Sequence, residues 1–224
     1  MVKDGYWYGL PLVLIAGGLL GIGFYRPGPF FWVGGGFFLV LTALVLNFFR
    51  DPEREIPADP AAIISPADGR IVEMRDEDFE GRPVHRVSIF MSPLDVHVNR
   101  SPIGGTIREV SYRRGAFHVA SQSPASVENE QNVFTVAGDQ GTVVAKQIAG
   151  AVARRIIFWK QPGDTVTRGE RVGLIKFGSR VDVLMEPGIK MRVKVGDRVR
   201  AGVSIIATWV SPGQQRPERV ANGQ

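Results

Sequence analysis

The pair Gly178-Ser179, set in Lys176-Phe177-Gly178-Ser179-Arg180, joins the residue type with the freest backbone to a hydroxyl nucleophile. A serine hydroxyl can attack the carbonyl of the residue before it and convert the amide to an ester. That attack needs a base for the hydroxyl, donors for the developing oxyanion, and a peptide bond held away from its relaxed geometry. Elimination from the ester then releases the upstream chain and leaves a dehydroalanine, which hydrolyses to a pyruvoyl group. Gly-Ser is also a common turn, and on the dipeptide alone the turn is the better reading. The weight comes from what else the chain carries.

Three histidines are available as bases, His85, His97 and His118. Asp95-Val96-His97 in a strand would put Asp95 and His97 on one face. A carboxylate there raises the imidazole pKa and orients the ring, with a surface ion pair as the plain alternative. His85 follows Arg82-Pro83-Val84 and reads as a strand residue, whereas His118, in Gly115-Ala116-Phe117-His118, is placed where it could line a site. Ser65-Pro66-Ala67-Asp68-Gly69 has the composition of a β-turn. Its functional reading is a loop that brings the Asp68 carboxylate to Ser179 or to the imidazole. The chain has no cysteine, which removes disulfides, thiolate nucleophiles and Cys-ligated metals. Three histidines without acidic clustering make no metal site.

These residues need a scaffold. Residues 6–25 and 30–49 carry no charge, and each is about the length that crosses a bilayer, roughly 20 residues. Arg26-Pro27-Gly28-Pro29 breaks the chain between them, so residues 1–49 form a helical hairpin, spanning or embedded in the membrane. Gly17, Gly18, Gly34, Gly35 and Gly36 let its helices approach closely. Lys3, Arg50 and Arg54 lie outside the hairpin, which places both ends and the following domain on the cytoplasmic face. The net charge of +5 suits an anionic lipid surface and is too diffuse for nucleic acid.

Residues 50–62 are polar and Pro-rich, a linker. Residues 63–210 then alternate short β-branched runs with Gly, Pro and Asp, as in Gly69-Arg70-Ile71-Val72-Glu73-Met74 and Gly141-Thr142-Val143-Val144-Ala145. That pattern predicts a mainly β fold, a sandwich or barrel. Residues 124–131 suit one short helix, and residues 211–224 read as a disordered tail. Gly163-Asp164-Thr165-Val166-Thr167-Arg168-Gly169 recurs as Gly196-Asp197-Arg198-Val199-Arg200-Ala201-Gly202. The echo resembles the half-repeats of barrel-sandwich domains, with the segment between the echoes as a hairpin and Gly178-Ser179 at an exposed turn or strand end within it.

Five pieces in order carry a wider likeness: the hydrophobic anchor, Ser65-Pro66-Ala67-Asp68-Gly69, Pro93-Leu94-Asp95-Val96-His97-Val98-Asn99-Arg100, Asn129-Glu130-Gln131-Asn132 and Phe177-Gly178-Ser179-Arg180. Between about residues 63 and 207 the chain resembles the short prokaryotic form of phosphatidylserine decarboxylase, a pyruvoyl enzyme. The resemblance implies cleavage between Gly178 and Ser179. Fragments 1–178 and 179–224 stay together, and Ser179 becomes the pyruvoyl cofactor, with no metal. Phosphatidylserine in the membrane would form a Schiff base there, lose CO2 and leave as phosphatidylethanolamine. Asp68 matches the family's acidic residue of self-processing and His97 an active-site histidine, here the candidate proton donor. Arg100 stands where longer members have a second histidine, so the base for Ser179 is His97 or Asp68. Gln131 stands where the family has Arg. Arg100 or Arg180 would take the head-group phosphate, with His118 a further substrate contact, and a homodimer is compatible. Two rivals are a membrane-anchored protease pairing Ser179 with Lys176 or Lys190, and a non-catalytic barrel-sandwich adaptor.

Overall fold

The computed structural model describes residues 1–115, 129–150, 155–176 and 179–210. Helices α1 (Lys3–Tyr25) and α2 (Pro29–Phe48) form the expected hairpin, each long and apolar enough to cross a membrane. Gly5, Gly9, Ala16 and Gly23 of α1 are buried, as are Gly35, Thr42 and Phe48 of α2. The two ends of the hairpin meet where the Val2 amide donates to the Phe49 carbonyl at 3.1 Å.

Fourteen strands follow among the described residues: β1 (Ala62–Ile64), β2 (Gly69–Phe79), β3 (Arg82–Met91), β4 (Val98–Arg100), β5 (Gly105–Arg113), β6 (Gln131–Gly138), β7 (Gly141–Ala149), β8 (Arg155–Phe158), β9 (Thr165–Val166), β10 (Arg171–Lys176), β11 (Ser179–Met185), β12 (Ile189–Met191), β13 (Arg198–Val199) and β14 (Ile205–Trp209). Eight form one curled antiparallel sheet in the order β13-β2-β3-β11-β7-β6-β5-β9. Two three-stranded sheets, β1-β14-β12 and β4-β10-β8, complete the domain. The core lies between them, built from alternate residues such as Ile71, Val87, Ile89, Val181, Val183, Ala145 and Val143. Gln131 opens β6, so the short helix expected over 124–131 does not reach it; residues 124–128 and the tail 211–224 lie outside the described residues.

The echo noted in the sequence is one part of a full duplication. Gly163 and Gly196 both sit at φ +96°, and Gly169 and Gly202 at +79° and +78°. The turn at Ser65 also has a twin, Ser101-Pro102-Ile103-Gly104-Gly105. The Ser65 hydroxyl donates to the Ala67 carbonyl at 2.6 Å and the Ser101 hydroxyl to the Ile103 carbonyl at 2.7 Å. The Gly202 amide donates to the Ser65 carbonyl and the Gly169 amide to the Ser101 carbonyl, each at 2.9 Å. Strand for strand, β1-β2-β3-β11-β12-β13-β14 corresponds to β4-β5-β6-β7-β8-β9-β10. The second unit is inserted whole into the first. Where it turns tightly from β6 to β7 through Asp139 and Gln140, the first unit leaves after β3 and returns only at β11. Ser179 is the residue at which the chain comes back.

This corrects the expected hairpin between the echoes. β10 pairs with β4 and β8, whereas β11 pairs with β3 and β7, so the two neighbouring strands enter different sheets. Ser179 is at a strand end, as read, but it is fully buried rather than exposed.

Gly69 and Gly105 open β2 and β5 at φ +157° and +150°, and a Cβ on either would stand 2.1 Å from a carbonyl oxygen, that of Phe90 or of Ala137. Gly69→Ala and Gly105→Ala are each expected to destabilise the fold by about 3 kcal/mol or more. The check is the thermal midpoint in detergent, which should fall by several degrees for both variants. A wild-type midpoint for either would break the equivalence of the two turns.

Candidate active site

Ser179 faces the core from the first position of β11, opposite Met91 on β3 and Ala149 on β7. Its hydroxyl donates to the Met91 Sδ at 3.4 Å. A thioether is a weak acceptor, so the nucleophile is held in place while its oxygen lone pairs stay uncommitted. The same sulfur receives the Asn99 Nδ2 at 3.8 Å. Asn99 ends a buried chain of amides: Asn132 Nδ2 donates to Gln147 Oε1 at 2.9 Å, and Gln147 Nε2 donates to Asn99 Oδ1 at 2.9 Å. Each amide fixes the flip of the next, and the last NH2 points toward the serine's neighbour. A Cβ on Gly173 would lie 2.8 Å from Gln147 Nε2 and 2.4 Å from the Ile157 carbonyl oxygen, so β10 carries glycine where the chain of amides passes. On the far side of the serine, the Asn129 Nδ2 donates to the Ala149 carbonyl at 2.7 Å.

His97 is fully buried. It lies in the turn before β4, not in a strand, so the expected shared face with Asp95 does not form. The Asp95 carboxylate instead accepts the Ser92 amide at 2.8 Å. It is the Asp95 backbone carbonyl that meets His97 Nδ1, at 2.9 Å. That contact places the proton on Nδ1 and leaves Nε2, which has no hydrogen-bond partner among the described residues, as a free base. Phe48, the last residue of α2, packs on the imidazole at 4.1 Å between ring centres. Phe48, Phe49, Val96, Val98 and Leu174 form one apolar cluster, so the anchor walls the histidine off from water. Burial, partly offset by the Asp95 carbonyl, pushes the imidazole down from 6.5 to about 4. It is neutral at pH 7.

The remaining sequence candidates are placed elsewhere. Asp68 pairs with Arg54 Nη2 at 2.9 Å and accepts the Ala201 amide at 2.8 Å. No described hydrogen bond joins this carboxylate to Ser179 or His97; a charged partner and a backbone N–H hold it at the domain's seam with the linker. Arg100 donates to the carbonyls of Gly169 at 2.9 Å and Pro52 at 3.0 Å and pairs with Asp51. Arg180 lies on the opposite face of β11 from Ser179. It binds Asp182 Oδ1 at 2.6 Å, Ser88 Oγ at 2.6 Å and Glu73 Oε2 at 2.9 Å, all inside the protein. Both guanidiniums are thus fold-holding groups, and the expected phosphate contact finds no support at either. Lys176 pairs with Asp4 of α1 at 2.7 Å, and Lys190 is exposed on β12, so no described hydrogen bond forms a Ser-Lys dyad. His85 pairs with Asp76 across the β2–β3 hairpin. Gly178 and His118 lie outside the described residues. No cluster of metal-ligating side chains occurs among the described residues.

Sequence reasoning missed Met91, Asn99, Gln147 and Asn132. Asn99 and Asn132 lay inside quoted motifs. Gln147 had a readable signal, a polar residue at the inward position of the run from Val143 to Ala149.

Comparison with known proteins gives the family. The family described as phosphatidylserine decarboxylase matches residues 41–207. Phosphatidylserine decarboxylase proenzyme of Solibacter usitatus is 51% identical over 208 residues, covering 92% of this chain and 96% of that protein. The proenzyme of Salinibacter ruber is 47% identical over 196 residues, 83% of this chain and 86% of the relative. That of Desulfotalea psychrophila is 45% identical over 174 residues, 75% and 81%.

The buried imidazole makes stability depend on pH. Between pH 6.5 and about 4 the unfolded chain binds a proton at His97 that the folded protein refuses, so stability is lost as pH falls through this window. The thermal midpoint of the wild type should fall more steeply between these values than that of His97→Leu. Parallel curves would show that the histidine is not held neutral by burial.

Proposed function

The chain belongs to the phosphatidylserine decarboxylase family, and from that premise we propose that it cleaves itself before Ser179 and decarboxylates phosphatidylserine to phosphatidylethanolamine at the pyruvoyl group so formed. The observation that carries this reading is Ser179 itself: a buried hydroxyl whose described acceptor is only a thioether, with an amide donor oriented beside it. These surroundings fit a group made in place from the serine, because β11 keeps its pairing to β3 and β7 on both edges whether or not the chain is continuous before it. A pyruvoyl group there supplies the carbonyl that takes up the substrate's amine and the electron pair left behind by CO2.

The chain's own residues do the rest. His97, neutral and with Nε2 unshared, is the base for the Ser179 hydroxyl. Asp68, whose described partners are Arg54 and Ala201, acts instead as a positioning residue that pins the Ser65 turn. A proton taken up at Nε2 can be returned to the carbon that lost CO2. Asn99, oriented through Gln147 and Asn132, is the donor for charge developing on the carbonyl oxygen next to Ser179. The phenylalanine seal over His97 keeps water from competing.

The two fragments remain one body, since 179–224 contributes β11 to the middle of the eight-stranded sheet and β12, β13 and β14 around it. Lys3, Arg50 and Arg54 beside the hairpin support a catalytic domain on the cytoplasmic face. The protease alternative is disfavoured by the Asp4 pairing of Lys176 and by the exposed position of Lys190.

Purified protein should run on a denaturing gel as two pieces, 1–178 and 179–224, the smaller blocked at its N-terminus and reactive with hydrazines. Ser179→Ala should remain a single chain and release no CO2 from phosphatidylserine. A cleaved, active Ser179→Ala protein would dispose of the proposal.

A further inference from the structure

Arg100 and Arg180 each spend several guanidinium donors on internal partners, so the phosphate of the lipid needs another cation; Lys176, itself buried, has Asp4 as its one described hydrogen-bond acceptor. Lys176 lies three residues before Ser179, within roughly 11 Å of it along the chain. Its ammonium sits in a cage made by the anchor. Nζ donates to Asp4 Oδ1 at 2.7 Å and lies 5.2 Å from the centre of the Tyr8 ring and 5.9 Å from that of Phe49. The two rings stack on each other at 5.5 Å and 11°. Asp4 takes one of the three N–H donors of the ammonium, and the ring faces attract the charge without accepting a strong hydrogen bond. Donors remain for a phosphate oxygen.

Tyr8 and Phe49 have a second role. With Trp7, Pro11, Leu12, Leu41 and Val45 they line an apolar groove of about 290 Å³ between α1 and α2. The groove lies at the end of the hairpin that meets the β-domain. Tyr6, Trp7 and Tyr8 cluster at that same end, all exposed, the pattern that marks the depth of lipid head groups. The groove therefore opens toward acyl chains, and the ammonium that shares two of its walls stands at the level of phosphates. An inorganic anion would use only the cation, and a plain alkyl chain only the groove. A phospholipid uses both.

We propose that the groove and Lys176 form the substrate's lipid site, the groove taking one acyl chain of phosphatidylserine and Lys176 its phosphate; this rests on the decarboxylase reading above. The head group beyond the phosphate is then within reach of Ser179, which opens β11 three residues after Lys176. The anchor is part of the binding site rather than a tether, and the enzyme discriminates long-chain lipid from the same head group without acyl chains.

The test compares two substrates, dioleoyl phosphatidylserine in mixed micelles and water-soluble glycerophosphoserine, with rates normalised to the self-cleaved fraction seen on a gel. Leu41→Trp fills the groove and should raise KM for the dioleoyl lipid about tenfold more than for glycerophosphoserine. Leu14→Trp, at an exposed position of α1 that does not line the groove, should behave as wild type with both. Lys176→Gln should raise KM about tenfold for both substrates, and Lys176→Arg should restore it. If Leu41→Trp shifts the two substrates equally, or if cleaved Lys176→Gln keeps wild-type KM, the proposal is wrong. Wild-type protein that stays uncut and releases no CO2 from either substrate would instead remove the decarboxylase reading, and this site with it.

Discussion

Strand β11 is hydrogen-bonded along both edges, to β3 from Ser179↔Met91 to Met185↔His85 and to β7 from Ser179↔Ala149 to Met185↔Val143. All seven of its residues are buried. This double pairing is the constraint on which the rest depends. A chain that is to be cut beside a reactive serine must hold the new end without the peptide bond, and a central strand does so with ladder bonds on two sides and a core on each face. The duplication explains where such a strand comes from. In the inserted unit the equivalent step, β6 to β7, is a tight hairpin with Gly141 at the place of Ser179. In the outer unit the hairpin is opened by the insertion, and β11 returns from a different sheet. The proposed break before Ser179 falls at a junction where the local turn has been lost.

Departures from the duplication then mark the site. Asp68 corresponds to Gly104, so one turn carries a carboxylate that its twin folds without. That carboxylate binds Ala201 in the Gly196–Gly202 echo and Arg54 in the segment after the anchor. That segment follows Phe48 and Phe49, which lie against His97 and Lys176. The asymmetric residues thus serve the interface between the β-domain and the helical hairpin.

Much of this was legible in the residues. Charge-free runs of spanning length, β-branched alternation broken by Gly and Pro, and the Gly-Asp echo led to the correct fold class because each reports a local requirement of backbone or burial. The paired turns at Ser65 and Ser101 escaped notice, since only Ser, Pro and the final Gly are shared. What could not be read was direction. Asp95 and His97 are two apart, which means a shared face only in a strand; a turn puts the carboxylate on Ser92 and the carbonyl on the imidazole. Arg100 and Arg180 looked like anion binders because guanidinium preference for carboxylate and phosphate is the same chemistry. Sequence does not say that the carboxylates are internal.

The use of arginine along the linker shows why those cations were needed inside. Arg100 reaches the Pro52 carbonyl, Arg171 binds Asp51 and Glu53, and Arg168 donates to the carbonyls of Pro57, Asp59 and Ala62. Residues 51–60 have no helix or strand of their own, so their backbone acceptors would otherwise bind only water. Single exposed ion pairs stabilise little, but several planar, always-charged groups spaced along one segment restrict it to one path. That path fixes how the hairpin stands on the domain. A histidine sealed by Phe48 and an ammonium boxed by Tyr8 and Phe49 require the anchor to be placed to within a side chain's width, which a flexible tether could not do.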